Sequence, residues 1–524
     1  MKKLTLLLCF VSFLTKAQNI TVASGKSFTV EKTGSVTMSG NFSNSGTFTL
    51  NSDSDEFSSI IIGGTVTGNI SYNRYVNSAG TNEWDLIGAP VSGQSINSFV
   101  TANASTLATN GDTFAIGRYD NYGNEWINFT TAMLEGEILF PVGMGFQMAT
   151  ISGGTLKFTG APAATNKTQP IIDFSEGEGE GQLTTGTKWN LVANPFPSYI
   201  HGNTSADSSN NFLTINSEKL DDSYQAIYGY DADGIGSGYT VYNNTSAALR
   251  IAPGQAFMVA SDNPNVENPD VLSFTTAMRT TTGGDDFIAG RNSENSFELI
   301  LKLYEGDSEI DHTKFYFKEG LNLKLDPGYD AGHFNQQAAL TSRLVEEDEG
   351  VGFAINAMGL ESINDVVIPL VVNRESGNGF KISIHTNDIY EGTNVYLEDN
   401  QQGTMTLLNE QDFELTPQDN LSGAGRFFIH LTETVLSIDN KIETNYLNVF
   451  KADVNNFIIV EGTANQSNQI NLRLYNILGK EVVSKTLENN INTQTISTQG
   501  LATGIYVIKL KSGNTVLTKK LIIN

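Results

Sequence analysis

The sequence predicts an all-β protein of several domains, and three observations support this prediction. Of its 524 residues, 50 are Gly and only 12 are Pro, while charged residues make up 17 %. Short runs rich in Val, Ile, Phe and Thr recur along the chain, and Gly, Asn and Ser separate them, which is typical of strands joined by polar turns. The chain has no long stretch with a helical period. At roughly 150 residues per domain, its length predicts three or four domains.

Residues 1–17 have the pattern of a secretory signal peptide. Lys2 and Lys3 form a basic start, and a mostly apolar run of about 11 residues follows them, as in such signals. The small residues before Gln18 then predict cleavage at that position. The apolar run is too short to span a bilayer, and no later run reaches the necessary length, so we expect no transmembrane segment.

Residues 18–75 contain six short β-prone pieces separated by Gly, Asn and Ser. One interpretation is a small β-solenoid, in which each rung buries its apolar residues against the next rung. A plain meander sheet fits the same pattern, and the sequence does not choose between them. Neither interpretation places a reactive group in this segment. The pieces cover residues 20–22, 28–30, 35–38, 47–50, 60–62 and 69–72.

Residues 76–170 and 183–285 share a pattern that predicts two tandem copies of one β-module. The stretch from Trp84 to Pro90 is similar to the stretch from Trp189 to Pro195, and the two tryptophans are 105 residues apart. An acidic, Gly-rich joint separates the predicted copies. Such duplication is more typical of surface-display and adhesion proteins than of an enzyme with one site. Further matching segments are 96–100 with 212–216, 142–146 with 253–257, and 156–158 with 272–274.

Residues 290–436 contain about seven short strands without a helical period, which predicts a β-sandwich. The segments Trp189 to Pro195, Leu325 to Gly332 and Val395 to Asp399 carry a further similarity. Through them, this block and the duplicated pair resemble the non-catalytic portion that precedes the C-terminal secretion domain in many secreted flavobacterial proteins. Those proteins are mostly uncharacterised and are often called adhesin-like. The resemblance therefore implies a class of protein without a mechanism.

Residues 437–524 alternate apolar and polar positions between Gly turns, which predicts a small antiparallel sandwich. Its characteristic positions are Leu474, Tyr475, Asn476, Gly479, Val482, Leu501, Gly504, Tyr506, Lys519 and Lys520. With these residues the segment resembles the type A C-terminal sorting domain of the type IX secretion system of Bacteroidetes. One departure is that Val449 to Ala452 replaces the Tyr-Pro-Asn-Pro turn common in that family.

The resemblance to a sorting domain implies a route of export and does not imply an activity. It implies that the type IX secretion machinery recognises this domain and carries the chain across the outer membrane. It also implies that the domain is then removed, and that the remaining protein is attached to the cell surface or released. We therefore expect a secreted or surface-attached protein.

The composition excludes several classes of function. Lys and Arg total 31 against 57 for Asp and Glu, which gives a net charge of −26 at pH 7. A nucleic-acid binder is not expected, because phosphate contacts need a basic surface. The same charge opposes binding to anionic lipid. The only cysteine, Cys9, lies in the predicted signal, so the mature chain has no disulfide framework, thiolate zinc site or cysteine nucleophile.

The sequence contains no recognisable catalytic set, and we expect no enzyme. None of the five histidines has a partner at zinc-ligand spacing, and no Gly-x-Ser-x-Gly elbow occurs. The run from Glu346 to Glu349 places four acids in a row, which predicts a solvated turn. A hydrolase whose two carboxylates come together only in the fold stays open as the less favoured alternative.

Exposed aromatic residues are the candidates for binding a surface glycan or another cell-surface ligand. Carbohydrate sites use flat aromatic rings as stacking platforms. Trp126 is the best candidate, because it follows a polar stretch that predicts a loop. Tyr228, Tyr230 and Tyr239 are the candidates in the matching part of the second copy. The two equivalent tryptophans of the duplicated segments lie close to the apolar residues that follow them, so we expect both in the core.

Calcium is the one cofactor with a physical argument, and no other is expected. Hard oxygen ligands are abundant, and Ca²⁺ would relieve repulsion between acids. Asp231 and Asp233 form one candidate site, and Asp326 and Asp330 form another. The alternative for both is a β-turn that uses Asp and Gly for backbone reasons.

The sequence thus predicts an exported, all-β, non-catalytic protein with a structural or adhesin-like role. We expect binding through the loops of the two related modules, displayed on a sandwich that ends in a secretion domain. The alternatives are an extracellular carbohydrate-binding accessory protein and, less favoured, a hydrolase without a recognisable motif.

Overall fold

The computed structural model is 49 % strand and 6 % helix, which confirms the all-β prediction. It describes residues 18–79, 84–175, 186–230, 238–284, 296–384, 392–432, 446–452 and 456–523. The predicted signal peptide lies outside these residues. None of the helices in the described part of the chain combines the length and the apolar composition that crossing a membrane requires.

The N-terminal segment is a stack of parallel strands, as expected of solenoid rungs and unlike a meander, whose neighbouring strands run antiparallel. Strand β5 lies between β2 and β8, and Leu50 of β5 is paired with Val30 on one side and Tyr72 on the other. Strands β1, β4 and β7 form a second parallel sheet, and β3 and β6 form a third. The strands are β1 (Ile20–Val22), β2 (Ser27–Val30), β3 (Ser35–Met38), β4 (Phe42–Asn44), β5 (Thr47–Asn51), β6 (Ser59–Ile62), β7 (Val66–Thr67) and β8 (Ile70–Val76).

The first module packs directly on this solenoid. Its last strand, β14, is antiparallel to β8, and the two segments share one hydrophobic core. The other strands form a sheet in the order β10-β11-β13-β9, with β12 paired to β11. The elements are β9 (Asp85–Ile87), α1 (Ile96–Ala102), β10 (Thr109–Asn110), β11 (Thr113–Asp120), β12 (Glu125–Thr130), β13 (Phe146–Met148) and β14 (Gly154–Gly160), with a 3-10 turn at Ala132–Leu134.

The second module has a four-stranded sheet in the order β16-β21-β18-β19, and two smaller sheets complete it. A separate hydrophobic core lies between these sheets. The elements are β15 (Lys167–Ile171), β16 (Trp189–Ala193), β17 (Tyr199–His201), α2 (Phe212–Asn216), β18 (Ile227–Tyr230), β19 (Tyr239–Tyr242), β20 (Arg250–Ile251), β21 (Ala256–Ala260), β22 (Asp270–Phe274) and β23 (Arg279–Thr280). Short 3-10 turns cover Ser217–Lys219, Asp222–Tyr224 and Thr276–Met278.

The two modules use the same pairing at matching positions. In the first module Ile87, three residues after its tryptophan, is paired with Phe146; in the second, Val192 is likewise three residues after its tryptophan and is paired with Phe257. Both pairs are fully buried. The strand that follows the tryptophan therefore has an equivalent register in each module.

An asparagine at the end of each helix ties that helix to a strand. The amide of Asn103 donates to the carbonyl of Lys157 and accepts from its N–H, at 3.1 and 2.7 Å. Asn216 makes the same two contacts with Ser273, at 3.1 and 2.7 Å. A helix and a strand far apart in sequence are thus fixed by the same buried polar contact in both modules.

The modules meet through reciprocal contacts. Ile87 of the first module forms a β-bridge with Gln255 of the second, and Val192 of the second forms one with Met144 of the first. Gln255 and Met144 each lie two residues before the paired phenylalanine of their own module. The two bridges are therefore arranged like a pair of contacts related by a local two-fold axis.

The third block is a single sheet of eleven strands that encloses its own core. Phe380 of β30 and Phe427 of β34 lie far apart in the strand order, yet their ring centroids are 6.3 Å apart. The sheet therefore folds over on itself and gives two packed layers. Its strands are β24 (Ser296–Glu305), β25 (Ser308–Lys318), β26 (Ala331–Gly332), β27 (Leu340–Ser342), β28 (Phe353–Gly359), β29 (Asp365–Val372), β30 (Phe380–Ile384), β31 (Asn394–Asp399), β32 (Thr404–Leu407), β33 (Phe413–Leu415) and β34 (Phe427–Thr432), with a 3-10 turn at Leu360–Ser362.

The C-terminal segment is a small sandwich of two antiparallel sheets around a separate core, as the alternating pattern predicts. One sheet has the order β35-β36-β39 and the other has the order β38-β37-β40-β41. The strands are β35 (Asn448–Lys451), β36 (Phe457–Glu461), β37 (Ile470–Asn476), β38 (Glu481–Leu487), β39 (Thr493–Ser497), β40 (Gly504–Ser512) and β41 (Thr515–Ile523), with a 3-10 turn at Thr463–Asn465.

Candidate functional site

An aromatic pocket of about 210 Å³ lies where the two modules face each other. Strand β9 and the β11–β12 hairpin of the first module form one wall, and the β18–β19 hairpin of the second forms the other. This volume is below the roughly 300–1,000 Å³ of pockets that enclose a drug-sized ligand, so the pocket has room for one ring or the end of a chain. Its lining residues are Trp84, Leu86, Trp126, Gln147, Tyr230 and Tyr239.

Trp126 is held on the first wall by the strand opposite it. It lies in β12 beside Tyr119 of β11, with the two rings 5.2 Å apart, and 36 % of its surface is exposed. The tight turn between these strands includes Asn124 in a left-handed conformation, with φ of 52°. The Tyr119 hydroxyl donates to the Asn124 side-chain oxygen at 2.7 Å, which fixes the turn. Trp126 therefore projects from an ordered hairpin and not from the loop that the sequence predicts.

The second wall is a pair of tyrosines backed by the third block. Tyr230 and Tyr239 are opposite each other on β18 and β19, with ring centroids 5.4 Å apart. Phe334 of the third block stacks on Tyr239 at 4.0 Å and 21°. A stacked ring behind Tyr239 restricts its rotation, so this wall presents its aromatic surface in one orientation.

The chemistry of the pocket is stacking and neutral hydrogen bonding. Burial raises the pKa of Tyr119, which packs beside the lining residue Trp126, to about 12, with a contribution from neighbouring Asp120. Burial also raises the pKa of Tyr239 well above its usual range. Both phenols therefore stay protonated at neutral pH. Among the described residues that line the pocket, none is a carboxylic acid, a histidine or a lysine.

The structure brings three of the four aromatic candidates together and places the fourth elsewhere. Trp126, Tyr230 and Tyr239 line one pocket, although about a hundred residues separate Trp126 from the two tyrosines. Tyr228 is fully buried and donates its hydroxyl to the carbonyl of Gly332 at 2.7 Å. Its side chain therefore joins the second module to the third block and does not face the pocket.

Trp84 is the pocket residue that sequence reasoning missed, since it was expected in the core. It is half-buried against a cluster of alanines and lines the pocket. Its counterpart Trp189 is 8 % exposed and lies 4.4 Å from the ring of Phe334. The covering residue comes from a different domain, so no local signal in the sequence distinguishes the open tryptophan from the covered one.

The turn around the second calcium candidate is held by its own amide groups. The two carboxylate oxygens of Asp330 accept from the N–H groups of Asp326 and Ala357, both at 2.6 Å. The carboxylate of Asp326 accepts from the backbone and side-chain nitrogens of Asn322 at 2.8 and 2.7 Å. Within the described residues, no group of three metal-ligating side chains comes together. The first candidate pair, Asp231 and Asp233, lies outside the described residues.

The sorting-domain motif forms a tight hairpin at the end of β37. Leu474 is fully buried, and Tyr475 is half-buried beside it. The side-chain oxygen of Asn476 accepts from the backbone N–H groups of Leu478 and Lys480, at 3.1 and 3.0 Å. Gly479 completes the turn with φ of 74°, a conformation that favours glycine.

The rest of the motif lies on the last two strands. Gly504 begins β40, and Tyr506 is buried and donates its hydroxyl to the carbonyl of Ala502 at 2.7 Å. On β41, Lys520 is exposed, whereas the Lys519 ammonium lies 3.0 Å from a carboxylate oxygen of the third block. The motif therefore serves the sandwich fold and, at Lys519, a contact between domains.

Comparison with known protein families matches both parts of the chain. Residues 453–524 match the secretion system C-terminal sorting domain, which confirms a type IX secretion substrate and implies an interaction with that machinery. The protein is therefore exported to the cell surface or the extracellular space. No curated protein matches the chain. Residues 10–431 match a domain of unknown function, DUF8693, and by this match over most of its length the chain belongs to the DUF8693 family.

Proposed function

We propose that this exported protein is a non-catalytic, adhesin-like protein that binds the end of a glycan in the aromatic pocket between its two modules. The observation that carries the proposal is the convergence of two tryptophans and two tyrosines from distant segments on one open pocket. Sugar rings have apolar faces that stack on such side chains, while phenol and amide groups provide hydrogen bonds to hydroxyls.

The absence of acidic residues from the described lining supports binding without hydrolysis. Glycoside hydrolysis uses two carboxyl groups about 5–10 Å apart across the sugar. The lining of this pocket offers indole, phenol, amide and aliphatic groups. We therefore propose recognition of a saccharide, followed by adhesion, and no turnover.

The matching strand registers and helix contacts support a second part of the proposal, that the two modules are copies of one unit. The copies differ in what covers the tryptophan. Phe334 covers Trp189, whereas the pocket leaves Trp84 accessible. One copy would then serve as scaffold, and the other would provide most of the binding surface.

A glycan array with the full chain tests this function, and Trp126→Ala is the informative variant. The exposed 36 % of Trp126 corresponds to about 90 Å² of a side chain that buries at most about 250 Å². At about 25 cal/mol per Å² of apolar surface, full coverage contributes about 2 kcal/mol and half coverage about 1 kcal/mol. We expect Trp126→Ala to weaken binding by about 5- to 40-fold.

Phe28→Ala is the matched control, because Phe28 is a 41 % exposed aromatic residue on the solenoid, outside the pocket. It should bind like the unmodified chain. Equal affinity of the Trp126 variant for a bound glycan would place the site elsewhere. A silent array with retained adhesion to cells would favour a protein ligand and refute the glycan proposal.

A further inference from the structure

The third block and the sorting domain meet through an ion pair in which both partners are buried. A guanidinium nitrogen of Arg343, which is 6 % exposed, donates to a carboxylate oxygen of Glu461, which is 2 % exposed, at 3.1 Å. The guanidinium also lies 5.4 Å from the ring centroid of Phe450. A buried charge is tolerated when a partner compensates it, and here the partners belong to different domains.

Asp348 provides a second anchor, within the acidic run that was expected to be a solvated turn. Its carboxylate accepts from the hydroxyl of Tyr446 at 3.0 Å and from the side-chain amide of Asn448 at 2.9 Å. The prediction was wrong for Asp348, which is buried, because the sorting domain covers it. The prediction of a solvated turn agrees with the exposure of neighbouring Glu347 and Glu349.

Lys519 and Gly350 add further contacts to this interface. The ammonium of Lys519 donates to the backbone oxygen of Asp348 at 2.8 Å and lies 3.0 Å from a carboxylate oxygen of Glu349. Gly350 packs so closely on the ring of Phe450 that an added Cβ would collide with it. We name this interface, formed by Arg343, Asp348, Glu349 and Gly350 of the third block against the sorting domain, the docking face.

The two domains have separate hydrophobic cores, so the docking face joins two bodies that are each packed internally. Its contacts pair opposite charges and match several donors with acceptors, while Nε and Nη1 of Arg343 and the second carboxylate oxygen of Glu461 are buried without a hydrogen-bond partner. These contacts are made between side chains and backbone outside the covalent connection through residues 433–445. We infer that the sorting domain binds the third block as a preformed partner and stays bound after the connecting chain is cut. Cleavage of the backbone alone would then not release it, and a separate dissociation step would be necessary.

A protease site inserted within residues 433–445 of the full chain tests this inference. After complete cleavage, the two fragments should elute together on size exclusion at micromolar concentration and near-physiological salt. Elution as two separate species directly after cleavage would overturn the inference. The measurement requires no glycan, so its outcome is independent of the proposed function.

Variants of the buried pair distinguish docking from general stability. Arg343→Met leaves Glu461 buried without its partner, so the fragments should bind at least about 100-fold more weakly. The double variant Arg343→Met with Glu461→Met removes both charges and should recover at least about 10-fold of this loss. Arg473→Ala is the control, because Arg473 forms an exposed pair with Glu481 on the same domain and should have no effect.

A variant outside the buried pair keeps the test informative if Arg343→Met does not fold. Lys519→Ala removes one hydrogen bond and one partly exposed ion pair, and we expect fragment binding to weaken by about 5- to 20-fold. Circular dichroism of each uncut variant reports its folding. Cut fragments that bind equally in the Lys519, Arg343 and unmodified chains would refute the docking face.

Discussion

Replacement of Asn194 by Ala should destabilise the second module severely, because this side chain makes hydrogen bonds with the backbone of two loop segments. Asn194 is fully buried in the segment that follows Trp189. Its amide nitrogen donates to the carbonyl oxygens of Ser198, Ile251 and Ala252 at 2.8, 3.2 and 3.0 Å. Its oxygen accepts from the N–H of Phe196 at 3.0 Å. One residue thus joins its own loop to the start of the turn before β21.

The magnitude follows from what Ala leaves behind. The N–H of Phe196 would lose its partner in a buried position, which costs about 1–3 kcal/mol. The three carbonyl groups would lose their donors, and the missing amide would leave a small cavity that adds a further 1 kcal/mol or so. We expect a loss of about 2–4 kcal/mol in the free energy of unfolding.

Urea unfolding followed by tryptophan fluorescence measures this loss, since Trp189 lies five residues before Asn194. Asn110→Ala, at an exposed position on β10, is the control and should unfold within about 0.5 kcal/mol of the unmodified chain. Asn194→Asp should be at least as damaging as Asn194→Ala, because it places a carboxylate against three carbonyl oxygens. A change below about 1 kcal/mol for Asn194→Ala would refute the assigned role.

Two other predictions concern pH and the support of the pocket. Burial raises the pKa of Asp330 to about 8, above its unfolded value near 4. Between pH 4 and pH 8 the Asp330 carboxyl is therefore protonated in the folded state and ionised in the unfolded state. The contribution of Asp330 to stability should fall as pH rises from 4 to 8, by up to about 1.4 kcal/mol per unit, and melting temperatures of Asp330→Asn should fall less steeply over this range than those of the unmodified chain. Phe334→Ala should destabilise by about 2–4 kcal/mol in urea and also weaken glycan binding, because Tyr239 loses its stacked neighbour. Phe334→Leu, which keeps most of the volume, should lose less stability, and unchanged glycan affinity in Phe334→Ala would show that Tyr239 needs no support.

The sequence predicts the β-rich fold and the sorting domain well, because both depend on local patterns. Alternation of apolar residues and Gly turns identifies the final sandwich, and within its motif Asn476 accepts hydrogen bonds from the turn while Gly479 adopts the positive φ of that turn. The N-terminal segment is less determined. Short β-prone pieces fit a parallel stack and a meander equally well, and only the long-range pairing of Leu50 with Val30 and Tyr72 distinguishes them.

The candidate site could be predicted only in part, because its environment depends on contacts between domains. Trp126 was recognised from its polar neighbours, whereas Trp84 and Trp189 were both expected in the core because apolar residues lie close to them in the sequence. The difference between these tryptophans comes from Phe334, about 145 residues after the second one. Asp348 was misjudged for the same reason, since the sorting domain that buries it lies about 100 residues further along the chain.

The reciprocal bridges join two modules of one chain, and this affects which amino-acid substitutions each module can accept. In a homodimer with a two-fold axis, every substitution occurs on both sides at once, so a binding residue cannot be altered in one half alone. Here both halves belong to one polypeptide, and each position can be substituted separately. Trp84 and Trp189 are the same residue type, but their surroundings differ, because Phe334 of the third block covers Trp189 while Trp84 lines the open pocket. A single chain can therefore combine matching strand pairings in two modules with surroundings that differ between them.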